Sequence, residues 1–320
     1  MPSPIMLATG PLDDYAEQVL SRFGEYRVAP DMKEATLLAA MPGVVALAVR
    51  GSARVTEAML AAAPGLKVIG RSGVGYDTID VAAATRRGIP IVYTPGAGSR
   101  AVAEAAMAFM LALCKLVTFW DVQLKSGNWN ARLEAQGRDL DGQVLGILGF
   151  GQIGRVLAGM AKPFNMTVIA HDPYVGADEG AALGVRMVTF DELVASADFL
   201  SIHAPLTPET RGLIGRAQIA AMKPGSYLVN LARGGLIDGL DILDEALASG
   251  HLAGVGLDVF DPAPPDPAHA LFRHPNCLTS PHAMATTLGG MTRIFRSMAD
   301  DMAAVLEGRR PRFVVNPEVL

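Results

Sequence analysis

Cysteine is nearly absent from this chain. Two occur in 320 residues, Cys114 and Cys277, in no CxxC or Cys/His spacing. That argues against a disulfide framework and against a zinc site, and no metal is expected. A basic excess is missing as well: 27 Lys and Arg stand against 32 Asp and Glu, a formal net charge of -5. Neither nucleic acid nor an anionic membrane would find an electrostatic footprint, so a small soluble ligand is the expected partner. The opening stretch MPSPIMLATGPLDDY has no basic n-region and only a short apolar run, so no secretory leader is expected and the chain is read as cytoplasmic. There is one apolar run of membrane length, AVAEAAMAFMLALCKLVTFW from Ala101 to Trp120. It carries Glu104 and Lys115 and has no companion, which reads as a buried or interface helix and not a membrane span.

What is present describes a compact globular protein: half the residues are hydrophobic, and 34 Gly and 21 Pro are spread along the chain without a low-complexity block. The length predicts two domains. The first hundred residues alternate short β-branched runs with alanine-rich helical patterns. IMLA (Ile5 to Ala8) precedes a helix near Asp13 to Phe23, and VVALAV (Val44 to Val49) and LKVIGR (Leu66 to Arg71) flank another near Thr56 to Ala63. A helix over Asp80 to Arg87, ended by Gly88, leads into IPIVYT. After the polar stretch Lys125 to Gly142 a second series begins, with strands VLGILG, MTVIA, ADFLSIH, SYLVNL and GVGLDVF. Such alternation predicts βαβ units and parallel sheets. The last helical pattern, Leu288 to Glu307, follows a strand signal at Cys277 to Ser280 and is expected to return to the first domain, leaving a cleft between the two.

GILGFGQIGRVLAG holds G-x-G-x-x-G at Gly149, Gly151 and Gly154, after a strand and at the start of a helix. The first glycine permits the tight turn, the second lets backbone approach a pyrophosphate, and the third lets helix pack on strand. Asp172 ends the next strand, 18 residues after Gly154, where a carboxylate can accept both ribose hydroxyls. A 2'-phosphate there would be repelled, so NAD is favoured over NADP. The competing reading, a glycine-rich turn with Asp172 as a helix cap, explains less. His171 reads as packing.

NLARGGLID puts Arg233 at a strand end before two glycines, where it can clamp a carboxylate or form a surface ion pair. TSPHAMATT puts His282 after another strand end, able to exchange a proton near neutral pH or serve structure alone. His203, in SIHAPLTPET, is given a positioning role beside the cofactor, and His251, His269 and His274 read as surface loop residues. RSGVGYDTID could hold an anion on the N-H groups of Val74 and Gly75, or be a plain turn.

Taken in order, GFGQIG, HDPY, HAPLTPET, MKPGSYLVNLARGGLID, GVGLDVF and SPH resemble the D-2-hydroxyacid dehydrogenase family, as do VRGSARVTEAML and TPGAGSRAVAEAAMAF in the first half. The resemblance implies two Rossmann-like, doubly wound parallel-sheet α/β domains: a NAD-binding domain over 102–286, inserted into a flavodoxin-like substrate domain of 1–101 plus 287–320. It implies a homodimer joined through the NAD domain. By the family pattern Arg233 holds the substrate carboxylate, His282 is the acid-base residue, and Val74 and Gly75 bind the same carboxylate. NAD would meet Gln152, Ile153, Asp172, Ala204, Pro205, Leu231, Ala232, Asp258 and Ala285. No regulatory domain beyond these two is expected.

The family also places a glutamate five residues after the aspartate of DVF, bonded to the histidine ring. Here that position is Ala263, in DVFDPAPP. Loss of the carboxylate would leave His282 at or below its ordinary pKa, so reduction, which needs imidazolium, should suffer more at neutral pH than oxidation. Asp261 either substitutes for the glutamate or faces water, the second being the preferred reading, and Asp266 is a more remote substitute. Arg50, Arg54 and Arg71 either bind a second anionic group, giving phosphoglycerate- or hydroxypyruvate-like substrates, or are solvated charges. The sequence therefore points first to an NAD-dependent 2-oxoacid reductase and second to an NAD(H)-sensing binding protein of the corepressor kind.

Overall fold

A computed structural model describes residues 3–320. The chain forms two compact units, one made of the residues up to Gly98 with Thr287–Leu320, the other of Ser99–Thr286. Each is built on a wholly parallel sheet.

The first sheet contains β1 (Ile5–Ala8), β2 (Glu25–Val28), β3 (Val44–Val49), β4 (Val68–Arg71) and β5 (Ile91–Val92), in the order β2-β1-β3-β4-β5. β1 and β3 carry almost unbroken apolar runs because helices cover both faces. One face packs on Leu37, Met41, Met59 and Leu60, the other on Phe295, Met298 and Met302 of the helix Leu288–Leu306. Helix starts are capped by side chains: Asp13 accepts from Ala16 N at 3.0 Å and Asp80 from Ala83 N at 2.9 Å. After the last helix the chain crosses to the far edge, where Val314 bridges antiparallel to Val92 and the buried Asn316 accepts from Ile91 N at 2.9 Å. β2 and the helix Glu34–Ala40 have no counterpart in the sequence reading.

The second sheet orders its strands β12-β11-β10-β9-β6-β7-β8. They are β6 (Val144–Leu148), β7 (Thr167–His171), β8 (Arg186–Met187), β9 (Phe199–Ile202), β10 (Ser226–Asn230), β11 (Leu252–Leu257) and β12 (Cys277–Thr279). The strand order reverses between β6 and β9, the switch point at which open α/β sheets bind ligands. The long apolar run is not one helix: Ser99–Cys114 and Val117–Lys125 meet at 55°, and Leu116 between them is left-handed at φ 55°. The first helix lies against β11, where a Cβ on Gly256 would stand 2.8 Å from the Phe109 ring, so the glycine is what admits it. Among the described residues no single helix is long and apolar enough to cross a membrane.

Candidate active site

The predicted sites of the second unit all follow the carboxyl ends of its strands. Behind β6, Gly149 has φ +92°, and a Cβ there would sit 2.6 Å from Ala204 N at the switch point. Gly151 is the N-cap of the helix Gln152–Ala161, with open space where its Cβ would be. A Cβ on Gly154 would meet Gly149 O at 2.5 Å, so this glycine sets the close packing of helix on turn. The three positions thus fit a pyrophosphate over a bare helix N-terminus, with Gln152 exposed and Ile153 half-buried beside it. Asp172, behind β7, accepts from Phe150 N and from Tyr174 N, both at 2.9 Å. It therefore braces the glycine turn as well as offering a carboxylate to a ribose.

Behind β9, His203 N donates to Leu148 O at 2.7 Å, fixing the loop that carries Ala204 and Pro205. Its Nε2 lies 2.9 Å from Ser201 Oγ, and its Nδ1 is buried without a hydrogen-bond partner among the described residues. Burial pushes the ring pKa down to about 4, although one edge of the residue still reaches the surface. The next turn is pinned by Thr210, whose hydroxyl donates to Pro205 O at 2.7 Å.

Behind β10 the chain runs through Leu231, Ala232 and Arg233. Asn230, fully buried and absent from the sequence reading, organises this segment: its Oδ1 accepts from Ala232 N at 3.0 Å and its Nδ2 donates to Arg233 O at 2.9 Å. The signal was present in the asparagine two residues before Ala232, a spacing that favours a side-chain-closed turn. Arg233 Nη1 donates to Ala232 O at 2.8 Å. A Cβ on Gly234 would overlap the backbone of Phe260, so the glycine pair lets the DVFD loop approach the arginine loop. On that loop Asp261 binds Arg211 at 2.9 Å instead of facing water alone, Asp266 accepts from Ala268 N at 2.9 Å, and Ala263 is exposed.

Behind β11, Asp258 is 2% exposed and its Oδ1 accepts from the Ser280 hydroxyl, from Ala283 N at 2.8 Å and from Met284 N at 3.2 Å. His282, behind β12, is left-handed at φ +54°, and Ala285 follows it, half-buried.

Arg50, Val74 and Gly75 lie in the first unit, behind β3 and β4. Arg50 is drawn to Pro11 O and stacks over Phe295 at 5.2 Å, while Arg71 donates to Gly75 O at 2.6 Å and Gly51 O at 2.8 Å. Arg71 thereby shapes the loop that bears Val74, which is half-exposed. The remaining histidines lie in loops, half-buried, and each has a partner: His269 binds Asp241 at 3.0 Å, His274 binds Asp244 at 2.8 Å, and His251 binds Ile219 O at 2.8 Å. His171, read as packing, bonds Val188 O at 2.9 Å beside Phe190. No group of three or more metal-ligating side chains occurs among the described residues.

Residues 107–284 match the model of the D-isomer specific 2-hydroxyacid dehydrogenase NAD-binding domain. The chain belongs to the D-2-hydroxyacid dehydrogenase family. It is 37% identical over 312 residues to a D-3-phosphoglycerate dehydrogenase of Archaeoglobus fulgidus, covering 97% of this chain and 59% of that protein. It is 39% identical over 287 residues to a hydroxypyruvate reductase of Thermotoga maritima, covering 89% of this chain and 92% of that one. The solved structure of a glyoxylate reductase from Paecilomyes thermophila superposes with a TM-score of 0.88 at 31% identity, covering 99% of both chains. The chain thus spans about 59% of the length of the phosphoglycerate dehydrogenase relative. Like the matched domain of its family, the second unit binds NAD, and its glycine turn and Asp172 have the geometry that this cofactor needs.

Proposed function

We propose that this protein is an NAD-dependent oxidoreductase that interconverts a small 2-oxoacid and its D-2-hydroxyacid. The observation that carries the reading is the presence of Arg233 and His282 behind β10 and β12, on the same sheet edge that bears the glycine turn behind β6. When bound, NADH supplies the hydride for the keto carbon. Arg233 holds the substrate carboxylate and polarises the 2-oxo group, while His282 gives its proton to the oxygen that becomes the hydroxyl. Leu231, Ala232, Ala204, Pro205, Asp258 and Ala285 line the cofactor side, and the backbone of Val74 and Gly75 is a carboxylate contact. Hydroxypyruvate- and phosphoglycerate-like substrates remain in scope through the Arg50 and Arg54 segment.

The protein is further proposed to act in the cytoplasm as a homodimer. The support for the dimer is the apolar surface of Val117, Val122, Leu124, Trp129 and Leu133, each more than half exposed. Sedimentation or light scattering tests it.

Ala263 favours a second reading, an NAD(H)-binding sensor that has lost its chemistry. NADH oxidation against glyoxylate, hydroxypyruvate, pyruvate, phenylpyruvate and phosphohydroxypyruvate from pH 5 to 9 separates the two. Turnover that increases toward acid supports the reductase. Tight NADH binding with silence across the whole set supports the sensor.

A further inference from the structure

The segment that follows the helix Leu288–Leu306 is fastened on both sides of one aromatic residue, Phe313. Before it, Arg312 donates from its backbone N-H and from its Nε to Oδ1 of Asp301, each at 3.0 Å, and Asp301 is a buried carboxylate that the proposed reaction does not use. After it, Val314 bridges Val92, and Val315 N donates to Ile91 O at 2.8 Å. The buried Asn316 donates from Nδ2 to Ile89 O at 2.9 Å and to Thr85 Oγ1 at 3.0 Å.

Phe313 is thereby set against Tyr93, which follows β5, edge to face with ring centroids 6.5 Å apart. Tyr93 meets Tyr76 in the same manner at 6.0 Å. Tyr76 directly follows Gly75 in the loop behind β4, and Thr94 N donates to Gly73 O at 3.1 Å, so the residue beside Tyr93 is bonded to the start of the same loop. Edge-to-face rings favour a particular orientation, which a plain apolar contact does not. The outer rings, Tyr76 and Phe313, are 42% and 37% exposed, so the row holds a loop at the surface and adds little to the core.

We propose that Phe313 is a positioning residue for substrate binding: through Tyr93 and Tyr76 it sets the loop whose Val74 and Gly75 N-H groups receive the carboxylate of the 2-oxoacid. Arg71 holds that loop through backbone carbonyls, at Gly75 O and Gly51 O, and the aromatic row adds a side-chain hold one residue further on. Successive N-H groups bind an anion only when they point the same way, so a small rotation of the loop weakens binding without touching hydride or proton transfer.

The proposal rests on the reading of Val74 and Gly75 as a carboxylate contact, and two measurements keep the failures apart. One is steady-state reduction of the best 2-oxoacid of the set above at saturating NADH. The other is deuterium uptake of the segments 72–80 and 93–97 in the cofactor-free protein, which needs no substrate.

Phe313→Ala is expected to raise KM by about three- to tenfold, as loss of one ring contact implies. It should leave kcat within about twofold and NADH affinity unchanged. Uptake in both segments should quicken. Phe313→Tyr, which keeps the ring, restores the parental KM. Tyr76→Ala raises KM by a similar factor, and Phe313→Ala with Tyr76→Ala raises it by clearly less than the product of the two, because both act through one row. Unchanged uptake in Phe313→Ala overturns the proposal, and so does a double variant whose factors multiply. Should Phe313→Ala not fold, the same unchanged uptake in Tyr76→Ala overturns it. Faster uptake with an unchanged KM supports the hold of the row on the loop and sinks the carboxylate reading of Val74 and Gly75 instead.

Discussion

The carboxyl edge of the second sheet has two halves built by opposite means. Behind β6, β7 and β9 the site is made by leaving side chains out: Gly149 passes close to Ala204 N, Gly151 bares a helix N-terminus, and Gly154 admits the helix. Behind β10, β11 and β12 it is made by burying polar side chains as struts, with Asn230 bracing Ala232 and Arg233, and Asp258 bracing the turn at His282. A site that depends on backbone approach tolerates no added atoms. A site that depends on struts holds its geometry through several contacts to each buried side chain, as the three that converge on Asp258 Oδ1 show.

This contrast can be broken most severely at the proposed proton donor. His282→Asn should lower reduction by about a hundred- to ten-thousand-fold while NADH still binds, read by fluorescence titration. Loss of NADH binding in that variant would mean that the two halves are not separable.

Acid should next distinguish the halves through His203. With an ordinary value of 6.5 and a folded value of about 4, the unfolded chain binds a proton that the folded chain refuses. Stability from this group is therefore present above pH 6.5 and lost as pH falls toward 4, by at most about 3 kcal/mol. Denaturant unfolding between pH 7 and 4 should show a shallower decline in His203→Gln than in the parent.

Removing a strut should cost less. Asn230→Ala leaves backbone groups of Ala232 and Arg233 without their partner, and a loss of about 1–3 kcal/mol in unfolding free energy is expected together with reduced kcat. Equal stability with equal kcat would show that the segment holds itself.

The mildest change sharpens the comparison: Ala263→Glu should raise the apparent pKa of reduction and its rate at neutral pH, because an added carboxylate favours imidazolium. An unchanged profile would mean that the ring is already held without it.

The glycine half was legible because each glycine and Asp172 stands at a fixed spacing that has one physical use. In the strut half the sequence pointed to Leu231, Ala232, Arg233, Asp258, His282 and Ala285 but not to the bracing by Asn230. Asn230 escaped because its partners are backbone atoms two and three residues away, so neither its type nor its neighbours advertise burial. The histidine pairs with Asp241 and Asp244 escaped because each joins residues about thirty apart. β2 was missed for a different reason: EYRV lies at a sheet edge, mostly exposed, and lacks the apolar run that marked its buried neighbours. The break in the long apolar helix fell at Leu116, where no glycine or proline signals a turn.

Those edges have a consequence for solubility. The first sheet ends on one side in β2, whose Glu25 and Arg27 pair across the strand surface at 2.7 Å, and on the other in β5, which Val314 and Asn316 cover. One edge is guarded by charge and the other by the chain's own final segment. Loss of the segment beyond Phe313 would leave the backbone of Ile91 and Val92 open to strand addition from another molecule, so a clipped protein should self-associate before it loses its fold.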